Sequence, residues 1–336
     1  MATIKQDEAA AEWGLPGLTS RDMATEDGLT LKLYEMGEGP LVVLIHGWPE
    51  LAYSWRYQMP ALSAAGYKVV APDMRGYGQS DAPAEIEPYT IQKLTRDIVS
   101  IIDAYGAEDA TIVGHDWGAI VSWHTNLLHP TRVNAHAALS VPYHGRPPKP
   151  MTEMLKDAYG EDFFYILYFQ QDGVAEAEFD ADPRGILERL YAEPGTPRGP
   201  KALEDKKLSA GGWIPRLGKP LEAQSWLSED DMAYYVDAFT NSGFRGGINY
   251  YRNIANNWHS TPELDGAKID TPTTFIAGEK DMVIRRASAE ELRQSMEKTV
   301  TDLRGVTLID DAGHWIQQER ADEVNALLLD FLATLD

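Results

Sequence analysis

The chain of 336 residues contains no cysteine. A disulfide framework, a thiolate nucleophile and a thiolate-bound metal are therefore all excluded. Long apolar runs are missing too, since no stretch approaches the roughly 20 residues that a membrane-spanning helix needs. The opening octet, residues 1–8, lacks the basic and apolar blocks of a signal peptide, which points to a cytoplasmic protein. Positive charge is scarce: 30 Lys and Arg stand against 52 Asp and Glu, a formal net charge of −22. Such a surface repels nucleic acid and anionic lipid, so neither is expected as a partner, and it says nothing of any reaction. There is no internal repeat, no cluster of metal ligands and no glycine loop built to cradle phosphate, so no cofactor or metal is expected.

What is present is an ordinary globular composition, 43% apolar with 10% aromatic residues, enough for one large α/β domain or a core with an inserted module. Residues 29–34 alternate as a half-buried strand does, and 41–45 are wholly apolar. Residues 67–72, 110–113 and 133–141 read as further strands. Between them fall helical stretches: one from Ser54 to Gly66, one from Thr90 as N-cap with apolar residues at helical spacing up to Tyr105, and one from Ala119 to Leu128. Strands alternating with amphipathic helices imply a mostly parallel sheet covered on both faces. At Pro142 the rhythm breaks into a stiff Pro-rich linker. Beyond it helices are expected over 175–191, 229–241 and 248–257, and no strand. Residues 194–220 are long and irregular, as a lid or binding loop often is. The α/β rhythm resumes with strands at 271–277 and 306–309, a helix near 288–296 and a last one from about Ala321. The expected fold class is α/β: a discontinuous core of residues 1–142 and 260–336, with a helical cap of residues 143–259 inserted in it.

The chemistry centres on Val113-Gly114-His115-Asp116-Trp117-Gly118-Ala119. Small residues two positions either side of Asp116, after a strand and before a helix, give the pattern of a nucleophile elbow, which thrusts its central side chain above the sheet. The usual occupant is serine; an aspartate is already ionised and needs no base to become nucleophilic. Taken alone the string reads as well as a turn or an N-cap. Two further groups fall at carboxyl ends of strands, where ligands of such sheets bind: Asp281 after 271–277, and His314 after the last strand. Glu279, Asp310 and Asp311 are rivals to Asp281 as the acid. His46 and His115 also fall near the mouth, and His46 reads as a loop-shaping residue. The order nucleophile, acid, histidine is that of an α/β-hydrolase.

On these residues the chain resembles the epoxide hydrolases of the α/β-hydrolase fold, over nearly its whole length. The likeness rests on His46-Gly47-Trp48-Pro49-Glu50, Gly114-His115-Asp116-Trp117-Gly118, Glu279-Lys280-Asp281 and Gly313-His314-Trp315. In the cap it rests on 165–170 with Gly173-Val174-Ala175-Glu176, and on Asn249-Tyr250-Tyr251-Arg252-Asn253. Trp48 stands where the family often has Phe, a change that leaves the backbone donor intact. The resemblance implies a hydrolase acting on an ether bond, with a small-molecule epoxide as partner and a monomer or homodimer as the working form. It makes Asp116 the nucleophile, and His314 with Asp281 the water-activating pair. Tyr165 and Tyr251 become the ring-opening acids, the Trp48 and Trp117 N–H groups the oxyanion hole, and Trp117, Tyr165 and Tyr251 the substrate contacts. Tyr168 and Tyr250 lie so near the chosen tyrosines that only the motif register separates them. A haloalkane dehalogenase shares the fold, the Asp nucleophile and the His base, with the Trp117 indole as a halide donor, but its chemistry gives no reason for paired tyrosines. Trp117 replaces the Arg that a haloacetate dehalogenase would want, and an acyl group on Asp116 would be a mixed anhydride, which disfavours an esterase. A non-catalytic receptor on this fold could dispense with an intact set of catalytic groups.

Overall fold

The computed structural model describes residues 13–335; the opening octet, and the expectation drawn from it, lie outside them. One eight-stranded sheet runs in the order β1-β2-β4-β3-β5-β6-β7-β8. Its strands are β1 (Thr19–Ala24), β2 (Thr30–Met36), β3 (Leu41–Ile45), β4 (Lys68–Asp73), β5 (Ala110–His115), β6 (Val133–Leu139), β7 (Thr273–Gly278) and β8 (Leu303–Ile309). The first two strands pair antiparallel, as do β2 and β4; every later pairing is parallel. β3 to β6 are buried almost throughout, which is why they read as continuous apolar runs without alternation.

Helices α1 (Gln58–Ala64), α2 (Ile91–Ala104) and α3 (Trp117–Leu128) connect the early strands. Along α2, Ile91, Leu94, Ile98, Ile101 and Ile102 are all at most 1% exposed. Burying each contributes about 1.5–3 kcal/mol, so this stripe fixes the helix on the sheet. Thr90 takes the N-cap position with extended backbone, but its side chain makes no capping bond. Instead the Ile91 N–H donates to Asn257 at 2.9 Å, a tie to a helix far along the chain.

Between β6 and β7 lie α4 (Met151–Tyr159), α5 (Tyr165–Phe169), α6 (Val174–Ala181), α7 (Pro183–Leu190), α8 (Glu229–Ser242), α9 (Arg245–Arg252) and α10 (Ile254–Ser260). The sheet is thus assembled from two stretches of chain with a helical segment between them, and that segment contains no strand beyond isolated bridges. The core closes with α11 (Ala289–Met296), α12 (Ile316–Glu319) and α13 (Ala321–Leu332).

Several sequence expectations need correction. The helix expected over 175–191 is two helices. Pro183 has no N–H to continue α6, and the Asp182 side chain caps the new start by accepting the Gly185 N–H at 2.9 Å. The stretch 248–257 likewise breaks at Asn253 between α9 and α10, and the helix sought from Ser54 is a short 3-10 turn followed by α1. Strand β1 was not expected, because Thr19–Ala24 carries only a weak alternation and gains its place by pairing with β2.

The topology decides where a site can form. From β3 the chain crosses to β4 on one side, then to β5 on the other. In open α/β sheets ligands bind at such a reversal, here outside the carboxyl ends of β3 and β5. Ile45 is in register with Gly114, so the loops starting at His46 and Asp116 leave the sheet at one level.

Candidate active site

The turn from β5 into α3 forces Asp116 to φ 52° and ψ −117°, a left-handed conformation that a side chain bearing a Cβ rarely adopts and that costs about 1–3 kcal/mol. Two glycines make it passable: a Cβ on Gly114 would lie 2.3 Å from the Gly118 carbonyl oxygen, and one on Gly118 2.0 Å from that of Ile45. The spacing read from the sequence is therefore a steric requirement of the turn.

The carboxylate thus raised is held asymmetrically. Oδ1 of Asp116 accepts the backbone N–H of Trp48 at 2.8 Å. Oδ2 lies 3.5 Å from Nε2 of His314. On the other side of that ring, Nδ1 is 2.9 Å from Oδ2 of Asp281. The Trp117 N–H, the second donor expected, makes no hydrogen bond to the carboxylate here. Asp281 is 2% exposed and also accepts the Val283 N–H. The rival acids do not reach the histidine: Glu279, Asp310 and Asp311 are exposed, and Asp311 pairs with Lys280. Burial disfavours a charged His314 ring, yet Asp281 and Asp116 outweigh it and hold its pKa well above the ordinary imidazole value. Burial likewise raises the Asp281 carboxyl, and His314 more than compensates, leaving its pKa below the usual value.

The His314 backbone is gripped from three sides. Its carbonyl lies 2.7 Å from Nε2 of His115 and accepts the Ser140 hydroxyl at 3.0 Å. The flanking N–H groups of Gly313 and Trp315 both donate to the Glu319 carboxylate, at 2.6 and 2.9 Å. His115 in turn faces Glu50 at 2.6 Å, and Glu50 accepts the Gly47 N–H and the Gln317 and Gln318 amides. Sequence reasoning placed His115 near the mouth and quoted Glu50 without a role. It missed Glu319 altogether, since nothing marks a glutamate on a short helix as a brace for a loop. His46 lies 2.9 Å from the Gly47 carbonyl and accepts the Met74 N–H, tying the loop after β3 to the end of β4.

The tyrosines separate cleanly. The Tyr168 hydroxyl donates to Glu178 and that of Tyr250 to the Arg75 carbonyl, so both are spent on packing bonds. Tyr165 and Tyr251 face each other edge-on, 5.8 Å between ring centroids. For both, burial and then the nearby Asp116 charge push the phenol pKa up, so both stay protonated at neutral pH. The Trp117 ring lies edge-on to Tyr251, 5.0 Å between ring centroids. Trp213, from the irregular loop of residues 194–220, stacks on Tyr165 at 5.0 Å and on Trp48 at 6.0 Å; no periodicity could have signalled it. Among the described residues no group of His, Asp or Glu is arranged to hold a metal, and no helix is long and apolar enough to cross a membrane.

A mostly parallel sheet whose reversal point carries an aspartate elbow opposite an acid-tethered histidine defines the α/β-hydrolase fold class. Residues 40–321 match the family model described as alpha/beta hydrolase fold. The chain is 44% identical to Epoxide hydrolase A of Mycobacterium tuberculosis, covering 95% of this chain and 99% of that protein. Among solved structures, Epoxide Hydrolase A from Mycobacterium thermoresistibile superposes with a TM-score of 0.84 at 46% identity, covering 94% of this chain and 98% of that one. An epoxide hydrolase from an endophytic Streptomyces gives 0.86 at 37% identity, covering 95% and 96%. The chain belongs to the epoxide hydrolase family of the α/β-hydrolase fold.

Proposed function

We propose that this protein adds water across an epoxide to give a vicinal diol, by way of an alkyl ester on Asp116. Residues 143–259 then form a cap domain that delivers two acids to a nucleophile held by a core of residues 1–142 and 260–336. The observation that carries this reading is the pairing of Tyr165 and Tyr251 over Asp116, because ring opening needs an acid at oxygen as well as a nucleophile at carbon.

Oδ1 of Asp116 is already bonded to Trp48, so Oδ2 is the atom free to attack. Its lone pair forms the new O–C bond as the ring C–O bond breaks, and the departing oxygen takes a proton from one of the two phenols. As negative charge leaves Asp116, the influence that held both phenols weakly acidic fades, so their acidity rises as the alkoxide develops. Water next loses a proton to Nε2 of His314 and adds to the Asp116 carboxyl carbon. The resulting oxyanion, on Oδ1, is met by the Trp48 N–H and by that of Trp117. Collapse breaks the bond to Oδ2, the diol leaves with the proton from His314, and the second proton of the water, left on the new Asp116 carboxyl, replaces the one the phenol gave up. The oxygen of the water stays in Asp116.

A haloalkane would need the Trp117 indole as a halide donor, and its chemistry would leave the pair Tyr165 and Tyr251 without a task. Purified protein incubated with styrene oxide and, separately, with a 1-haloalkane should release diol and no halide. Halide without diol would overturn the reading. A single turnover in heavy-oxygen water should label Asp116; an unlabelled Asp116 would rule out the ester.

A further inference from the structure

We propose that Arg252 is a positioning residue that locks the helix of Tyr165 to the helix of Tyr251 and so sets the separation of the two ring-opening hydroxyls. The inference rests on the epoxide-opening reading above and adds a residue to it.

Arg252 follows Tyr251 at the end of α9 and is 9% exposed. All five N–H donors of its guanidinium are used. Nε donates to the Phe169 carbonyl at 2.9 Å. One terminal nitrogen bonds Glu176 at 2.5 Å and the Asn249 side chain at 2.9 Å; the other bonds Glu176 at 2.8 Å and the Gln171 carbonyl at 2.9 Å. Phe169 ends the short helix that Tyr165 begins, and its carbonyl is one a helix terminus would leave unsatisfied. The guanidinium therefore joins three pieces of the cap: the end of α5, the carboxylate of α6, and α9 itself. A second bond runs the same way, from the Gln170 amide to the Tyr251 carbonyl at 3.1 Å. Phe169 also packs edge-on against both tyrosine rings, at 5.6 Å from Tyr165 and 4.9 Å from Tyr251. A five-residue helix has little stability of its own, so the bearing of Tyr165 over Asp116 depends on these anchors. Glu176 has a second cation in Arg245, at 3.2 Å, which also reaches Asp172.

The decisive experiment separates the two half-reactions. Single turnovers of the full chain with styrene oxide are quenched, and the Asp116 peptide is followed by mass spectrometry for ester appearance and decay. Removing Arg252 alone would leave the buried Glu176 charge with Arg245 as its cation, so the main variant is Arg252→Met with Glu176→Leu, which takes away both charges of the pair. Ester formation is expected to slow by about 10²-fold, the scale of a misplaced reacting group, while ester decay, which depends on His314 and Asp281, keeps its wild-type rate. Arg252→Lys, which keeps the charge but cannot span all three partners, is expected to fall between. Should the double variant fail to fold, Glu176→Gln alone is read in the same assay with the same expected split. Unchanged ester formation, or equal slowing of both steps as general loosening would give, overturns the proposal. A wild-type protein that forms no ester at all would remove the epoxide reading itself, and the clamp with it.

Discussion

Nδ1 of His115 and Oε2 of Glu50 meet at 2.6 Å with neither side chain reaching solvent. The other ring nitrogen of His115 lies 2.7 Å from the His314 carbonyl, so the ring bridges Glu50 and the histidine loop. It ties the loop after β3, the elbow and the histidine loop at one point. These are the loops whose relative placement sets the distances from Asp116 to Trp48 and to His314.

Breaking this pair from one side should cost about 3–5 kcal/mol. Glu50→Gln is therefore expected to unfold at markedly lower denaturant concentration. Burial raises the Glu50 carboxyl, but His115 and the Gly47 N–H overcome that and hold its pKa at about 2, below the usual 4.5. Its contribution is thus whole above that usual value and is lost as pH falls toward about 2. Denaturation curves across that interval should be steeper in pH for the wild type than for Glu50→Gln, and parallel curves would refute an ionic pair.

His314 should change its proton affinity as the reaction proceeds. Its raised pKa rests on Asp281 and on Asp116, and in the proposed mechanism ester formation removes the Asp116 charge. The ring is then free to shed its proton and act as a base. Asp116→Asn imitates that neutralisation and is expected to lower the His314 pKa, read by an NMR pH titration of the ring. The linked stability follows in sign. Charge pairing at His314 stabilises the fold fully below the ordinary 6.5 and loses its effect as pH rises through the higher folded value. Asp116→Asn should flatten that alkaline loss; an identical titration midpoint in both proteins would sink the coupling.

Removing one phenol leaves the other to serve the same oxygen. Tyr165→Phe and Tyr251→Phe are each expected to slow ester formation by about 10-fold or more, and the double variant by about 10⁴-fold, the upper range for a lost general acid. Tyr168→Phe and Tyr250→Phe lose packing bonds and should leave ring opening intact. Equal losses at Tyr168 and Tyr165 would contradict the assignment.

The alternation of strand and helix and the elbow glycines were legible because each follows from a local rule, an apolar run or a steric demand, whereas the two cap tyrosines came only from the family resemblance. The helix breaks within the segment between β6 and β7 were less so. Asn253 is no obvious breaker, and Pro183 sits where a proline can equally begin a helix. What the sequence hid were the groups whose partners lie far along the chain. Glu50 meets His115 across 65 positions, Arg252 meets Glu176 across 76, and Tyr105 and Asn257 are likewise committed to distant contacts. Such pairs carry no periodicity. Between Tyr165 and Tyr168 the resemblance offers only the motif register, and the structure adds that Glu178 takes the Tyr168 hydroxyl.

Glu319 gives a prediction of the opposite kind to Arg252. Its two carboxylate oxygens take the N–H groups on either side of His314, while it touches neither tyrosine nor Asp116. Glu319→Gln keeps one acceptor and replaces the other with a donor, which repels the N–H it formerly bound. Losing one such bond is worth about 1.4 kcal/mol, or roughly 10-fold in rate. That loss should fall on ester decay, the step His314 serves, with ester formation unchanged. The ester would then accumulate in the steady state, visible as a mass shift on the Asp116 peptide. Slower ring opening without accumulation would place the effect of Glu319 elsewhere than the histidine loop.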